Sequence, residues 1–275
     1  MCHALFQSDE FYIGNKDGSK GSLNQLEGIL SYIYQVKAPH DNRKGGAKKN
    51  SPTAVMKLYR KFLFYKHFFS LDRPLIICEG KTDIVYLKCA LRQLEKEHGR
   101  LIQKEANGFV FKIGFLNMTK NFKDVFAISD GASGLVSLLD SYIQYMETFK
   151  GHGKEHPVIM LCDDDRGSAE IKKKVKYDPA MPFSFYAQNL YVAYTPLRGG
   201  AVETTIEDLF DKKTLSTEVE GKTFNRKAPI DPKTEYGKIV FAEKVVKANQ
   251  STINFDGFKE ILNRFERILD DYYQN

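Results

Sequence analysis

The sequence predicts an α/β protein: a parallel sheet flanked by helices, preceded by a small, mostly helical segment. Three observations predict it. An apolar run, Leu75-Ile-Ile-Cys78, stops abruptly at Glu79-Gly80-Lys81-Thr82-Asp83. A second, Val158-Ile-Met-Leu-Cys162, stops at Asp163-Asp164-Asp165-Arg166-Gly167. Between and around them, strand-like runs alternate with stretches of helical period. Short continuous apolar runs suit strands buried on both faces, as parallel strands are. Alternating strand and helix patterns argue for right-handed crossover units in one sheet.

Taken in order, residues 1–38 form a first piece. A turn rich in Gly, Asp and Lys spans 14–21, and a helix is expected over 23–36 with Leu26, Ile29, Leu30, Ile33 and Val36 on one face. Residues 39–72 follow as a basic linker and helix. Gly45, Gly46, Asn50 and Pro52 mark 41–52 as loop-like. Residues 53–69 interleave Tyr59, Phe62, Phe64, Tyr65, Phe68 and Phe69 with Lys and Arg. Such a helix can stack bases, but packing its aromatics against the neighbouring domain is the better reading. Residues 73–275 form the α/β domain. The strand at 75–78 leads into a helix over about 83–97. A strand is expected near 109–115 and another at 125–128. Gly131 and Gly134 open a helix over about 135–149. The strand at 158–162 follows, then a tyrosine-rich strand at 189–194 and an amphipathic helix over 255–273. The lysines at 172, 173, 174 and 176 read as a solvated loop.

The 275 residues carry 41 Lys and Arg against 35 Asp and Glu, a net charge of +6. The excess is concentrated. From Lys37 to Lys66 nine cations face Asp41 alone, and a basic segment near an acidic site suits a phosphate-backbone substrate. Lys48 and Lys49 in this segment are candidates to touch nucleic acid, and so are Lys81 and Arg166. Cys2, Cys78, Cys89 and Cys162 form no Cys-x-x-Cys pair, which fits a reduced cytoplasm and argues against a zinc ribbon. His152 and His156 sit among Gly151, Gly153 and Pro157, a loop and not a helical ligand pair. No apolar run approaches a membrane span and no signal peptide is visible, so no membrane partner is expected.

The chemistry lies in the two acidic strand ends. In open parallel sheets, ligands sit beyond the carboxyl ends of the strands. Glu79, Asp163 and Asp165 would therefore reach one edge. Alternate residues on a strand share a face, so Asp163 and Asp165 point together and Asp164 points away. Gathered carboxylates repel one another unless a cation sits among them. Oxygen donors without Cys or His suit Mg²⁺ or Mn²⁺. Asp83 either joins them or stabilises the N-terminus of the helix it opens.

Together, in this order, the two clusters resemble the TOPRIM domain of topoisomerases, primases and OLD-type nucleases, over roughly residues 73–168. The resemblance implies Glu79 as a general acid/base or metal ligand, and Asp163 and Asp165 as metal ligands. Further on, Ala201-Val-Glu-Thr-Thr-Ile-Glu207-Asp208 resembles the late acidic motif of OLD-type nucleases, which implies Glu207 as a fourth metal ligand. Tyr236-Gly-Lys238 resembles their following basic helix, which puts Lys238 at the reacting phosphate; Lys81 or Arg166 could serve there too. Residues 21–36 resemble the start of the thumb of retron-type reverse transcriptases. No Tyr-x-Asp-Asp polymerase motif is present, so no copying of nucleic acid is expected from this chain. There is no room for a topoisomerase gate domain and no zinc module of a primase. The expected activity is metal-dependent phosphodiester hydrolysis of DNA or RNA by a cytoplasmic nuclease. The retron resemblance implies the toxic effector of an antiviral defence unit, partnered by a reverse transcriptase domain and its RNA–DNA product. Homo-oligomers are compatible with this reading. The alternative is a module that binds nucleic acid without cutting it.

Overall fold

The computed structural model describes Leu30 and residues 54–129, 131–227 and 229–274. The thumb-like segment, the linker and Lys48 and Lys49 lie outside the described residues. The described chain groups into two compact units. One comprises residues up to Asp72 together with Met118–Ser129 and Ser133–His156. The other comprises Arg73–Asn117, Asp130–Ala132 and Pro157–Asn275. The segments 118–129 and 133–156 group with the aromatic helix and not with the sheet.

The first unit is helical and aromatic. Helix α1 (Ala54–Phe64) continues through a π-helical turn at Tyr65–Phe69. Phe62, Phe64, Phe68 and Phe69 are buried. Phe64 packs on Phe126, Tyr142 and Tyr145, with ring centroids 5.2, 5.9 and 4.5 Å away. The aromatics of this helix therefore build their own unit's core.

The second unit is built on one five-stranded sheet. Its strands are β1 (Leu75–Cys78), β4 (Gly114–Phe115), β5 (Val158–Cys162), β6 (Phe183–Ala187) and β7 (Leu190–Tyr194), in the order β4-β1-β5-β7-β6. All neighbours are parallel except the edge strand β6, which runs antiparallel to β7. Every residue of β1, β5 and β7 is buried, which is why these strands read as unbroken apolar runs. On one face Ile76, Cys78, Ile159, Leu161, Tyr191 and Ala193 join a core with helix α2 (Lys81–Gln93), the π-helical stretch Phe241–Lys247 and the C-terminal helix Lys259–Gln274. The C-terminal helix lays Ile261, Leu262, Phe265, Ile268 and Leu269 into that core at helical spacing.

Several expected elements differ. The strand expected at 109–115 is two strands. Gly108–Phe111 (β3) forms an antiparallel hairpin with β2 (Ile102–Glu105), and only Gly114–Phe115 joins the main sheet. The strand expected at 125–128 is instead the end of helix α3 (Lys120–Phe126). The Thr119 hydroxyl accepts from the Phe122 N–H at its start, and Ala127 closes it at φ 53°. These local capping interactions outweigh a four-residue apolar run. The helix after Gly131 is α4 (Ala132–Met146). The edge strand β6 was not anticipated, because half-exposed edge positions carry no continuous apolar signal.

Candidate functional site

Register places the two acidic clusters side by side. Cys78 pairs with Leu161, so Glu79 stands one step beyond β1, level with Cys162, and Asp163 follows one residue further on. Both chains end their strands here because carboxylates cannot extend a sheet interior closed on both faces.

After β1 the backbone turns straight into α2. The Gly80 N–H donates to Asp83 Oδ2 at 2.8 Å. Asp83 thus caps the helix, yet it also stands within electrostatic reach of Glu207, Lys238 and Glu79. The capping role and the nearness to the other carboxylates therefore coexist at Asp83. Glu79 is partly buried. Burial, then the charge of Asp165, pushes its pKa up, while Lys238 and the Ala132 N–H pull it down. Gly131, at φ 77°, turns the chain so that this N–H addresses Glu79. A Cβ there would lie 3.4 Å from Glu79 Oε1 and would strain the left-handed backbone.

After β5 three consecutive aspartates meet three environments. Asp163 Oδ1 accepts from the Ile206 N–H at 2.8 Å. Burial, then the charges of Asp83, Glu207 and Glu79, raises its pKa from 3.8 to about 8. Asp165 Oδ1 accepts from the Ser168 N–H at 3.2 Å and caps the short 3₁₀ turn Arg166–Ser168. Asp164 is buried and turned elsewhere. It is paired with Lys172, and the Tyr177 hydroxyl donates to it at 3.4 Å. Its own N–H donates to Thr195 Oγ1 at 2.9 Å. Lys172 is therefore no solvated loop residue. Its ammonium lies over the rings of Tyr177 and Tyr194, 5.2 and 5.6 Å from their centroids.

Glu207 completes the cluster from the 3₁₀ turn Ile206–Leu209 and is fully buried. Its Oε2 accepts from Lys238 Nζ at 3.1 Å. The other oxygen, Oε1, shares the ion pair but has no aligned hydrogen bond. Burial opposes the Lys238 ammonium. The Glu207 charge and hydrogen bond, with Asp163 and Asp83, outweigh it and raise the lysine pKa. Asp83 itself is raised from 3.8 to about 7, by burial first and then by Glu207 and Glu79, against the Gly80 N–H and Lys238.

The site thus gathers Glu79, Asp83, Asp163, Asp165 and Glu207 around one partly exposed cation, Lys238. Arg166 stays outside: its side chain is 95 % exposed and pairs with Glu203 at 3.0 Å. Lys81 is exposed at the start of α2. Among the described residues, no three His, Cys, Asp or Glu side chains already stand close enough together to form a metal-ligand set. The donors nevertheless fit a hard divalent cation in kind. They are all oxygens, one is an orphaned buried carboxylate oxygen, and their mutual repulsion is what a cation relieves. Sequence reasoning missed Ile206, Ala132 and Gly131, which act through their backbones. Gly131 beside Gly134 was the only signal for them. Cys78 and Cys162 lie beneath the site as free, buried thiols whose pKa values burial pushes up.

No model of a known protein family matches this chain, and no solved structure matches it. No helix among the described residues is long and apolar enough to cross a membrane.

Proposed function

We propose that the chain is a divalent-metal-dependent nuclease that hydrolyses phosphodiester bonds in DNA or RNA. One observation carries the reading: five carboxylates and Lys238 share one electrostatic neighbourhood at the carboxyl edge of a parallel sheet. Asp163, Asp165 and Glu207 would hold Mg²⁺ or Mn²⁺, with Glu79 or Asp83 beside them. When bound, the cation supplies Lewis-acid stabilisation of the phosphate charge. The chain's own residues do the rest. Glu79, its pKa raised by burial and Asp165, takes the proton of water as the water oxygen bonds to phosphorus and the P–O ester bond breaks, and the departing oxygen takes up a proton from Glu79 or from solvent. Lys238, the partly exposed cation paired with Glu207, would offset the charge on the reacting phosphate. Asp163 is oriented by the Ile206 N–H, and Glu79 by the Ala132 N–H.

The resemblance to TOPRIM nucleases and to the retron reverse-transcriptase thumb supports a further reading, that this nuclease is the toxic effector of an antiviral defence unit. That part rests on residues 21–36 and on the motifs alone.

The test is direct. Labelled DNA and total cellular RNA are incubated with the protein in Mg²⁺, Mn²⁺ or chelator, and melting is followed in parallel. The expected result is metal-dependent cleavage and a metal-induced rise in Tm that Asp163→Ala removes. A Tm rise without cleavage of either polymer would leave a metal-binding module and sink the nuclease.

A further inference from the structure

A groove of about 340 Å³ opens beside the carboxylate cluster, between the first turns of α2 and the helical segment that begins at Lys238 (helix α7, Lys238–Val240, running on into Phe241–Lys247). Its two long walls start one residue beyond site residues. Lys81 and Thr82 follow Gly80 and precede Asp83; Ile239 follows Lys238. A cavity of this size is at the small end of ligand sites, which run from roughly 300 to 1,000 Å³.

The lining has two characters. Ile84, Val85, Phe115 and Ile239 supply apolar surface, and Ile239 is 57 % exposed although it is a large aliphatic side chain. With Ile84, Val85 and Phe115 it forms one continuous apolar wall of the groove. The second character is cationic. Lys81 is exposed at the groove mouth, and Lys88 Nζ lies over the Phe115 ring, 5.3 Å from its centroid. The carboxylate in the lining, Glu243, is already paired with Lys247 at 2.7 Å, so the excess charge at the groove is positive. Asn117 and Thr82 add an amide and a hydroxyl.

We infer that this groove is a nucleotide subsite, in which an unpaired base of the substrate lies on the apolar wall while its phosphate meets Lys81 and Lys88. The inference rests on the nuclease reading and sharpens it. A base inside a duplex is stacked and cannot enter a side groove, so the substrate class is single-stranded nucleic acid or a frayed end. Sequence tolerance follows, since apolar and aromatic surfaces accept any base face. Lys81 and Thr82 adjoin Asp83 in the chain and Ile239 adjoins Lys238, so a strand held in the groove would run on toward the carboxylates.

The experiment uses the full chain carrying Asp163→Asn, so that binding is read without cleavage. Fluorescence anisotropy measures affinity for labelled single-stranded DNA, single-stranded RNA and a blunt DNA duplex. Ile239→Glu and Lys81→Glu, both at exposed positions, are compared with the surface change Lys96→Glu in the turn that follows α2. The expected result is at least one single strand bound more tightly than duplex, weakened about ten-fold by either groove change and less by Lys96→Glu. Melting curves confirm that each variant is folded. Equal affinity for single strand and duplex overturns the inference, as does single-strand binding unaffected by Ile239→Glu, or no binding at all. Cleavage by a protein with otherwise native Asp163 that carries Ile239→Glu, at the unaltered rate and KM, overturns the groove and leaves the nuclease standing. Groove-dependent binding with no cleavage in Mn²⁺ by the native sequence leaves the groove and sinks the nuclease.

Discussion

The two strand ends that build the site solve the same problem differently. After β1 the chain spreads its carboxylates over a helical turn: Glu79 stands at the sheet edge, addressed by the Ala132 N–H, and Asp83 is tied back to the Gly80 N–H. After β5 it places three carboxylates in succession and separates them by partner. Asp163 faces other carboxylates and is raised to about 8. Asp164 is sealed against Lys172, Tyr177 and Thr195. Asp165 caps a turn. The late acidic pair repeats the division. Glu207 points into the cluster, while Asp208 accepts from the Thr205 N–H at 2.8 Å and pairs with Arg226, which, against the cost of burial, holds its carboxyl below the usual range. In each cluster at least one carboxylate holds a local turn or an ion pair while another faces its fellow carboxylates. Clustered acid is tolerated because half of it is structural.

The sharpest way to break this contrast is to exchange neighbours. Asp163→Asn should remove metal-dependent cleavage and weaken metal binding, with excess Mn²⁺ restoring part of it. Glu79→Gln should slow cleavage by about 10²–10⁴-fold while metal and nucleic acid still bind. Quantitative cleavage assays with parallel metal titrations decide both. Full activity in either variant removes that residue from the site.

Asp164→Asn should behave in the opposite way. It removes the charge that the partly buried Lys172 pairs with at a buried position, so stability should fall by about 1–3 kcal/mol. Cleavage per folded molecule should be nearly unchanged. Denaturant melts and activity measured on the folded fraction separate the two. If Asp164→Asn costs as much activity as Asp163→Asn, the division of labour is wrong.

A smaller effect separates the clusters by pH. The folded-state pKa values of Asp163 (about 8) and Asp83 (about 7) lie above the ordinary 3.8, so the folded protein holds more protons than the unfolded chain. Their contribution to stability is fully present below pH 3.8 and is lost as pH rises through 7 to 8. In chelator, these groups should lower Tm between pH 5 and 8. Asp163→Asn should reduce that slope, and saturating Mg²⁺ should flatten it by favouring the ionised carboxylates. Melts across the pH series, with and without metal, check the sign.

The smallest effect belongs to Arg166→Ala. Its ion pair with Glu203 is open to solvent, so stability should change by no more than about 0.5 kcal/mol. A larger loss in a thermal melt would show that the pair secures the turn after Asp165.

The sequence by itself determined the central sheet and the edge where its carboxylates gather. The strands at 75–78, 158–162 and 189–194 were legible because burial on both faces demands unbroken apolar runs, and a sheet edge is where such a run can end in carboxylates. The C-terminal helix was legible for the same reason, through its spacing. Only tertiary structure decided the rest. Whether 109–115 forms one strand or two depends on partners far along the chain, Ile102–Glu105 on one side and Leu75 on the other. That Lys172 of the 172–176 run is drawn into an ion pair depends on Asp164, Tyr177 and Tyr194 arriving around it. The orienting N–H groups of Ala132 and Ile206 are backbone atoms, identical in every residue but proline. No sequence pattern marks a backbone donor whose importance comes only from the carboxylate that folding sets before it.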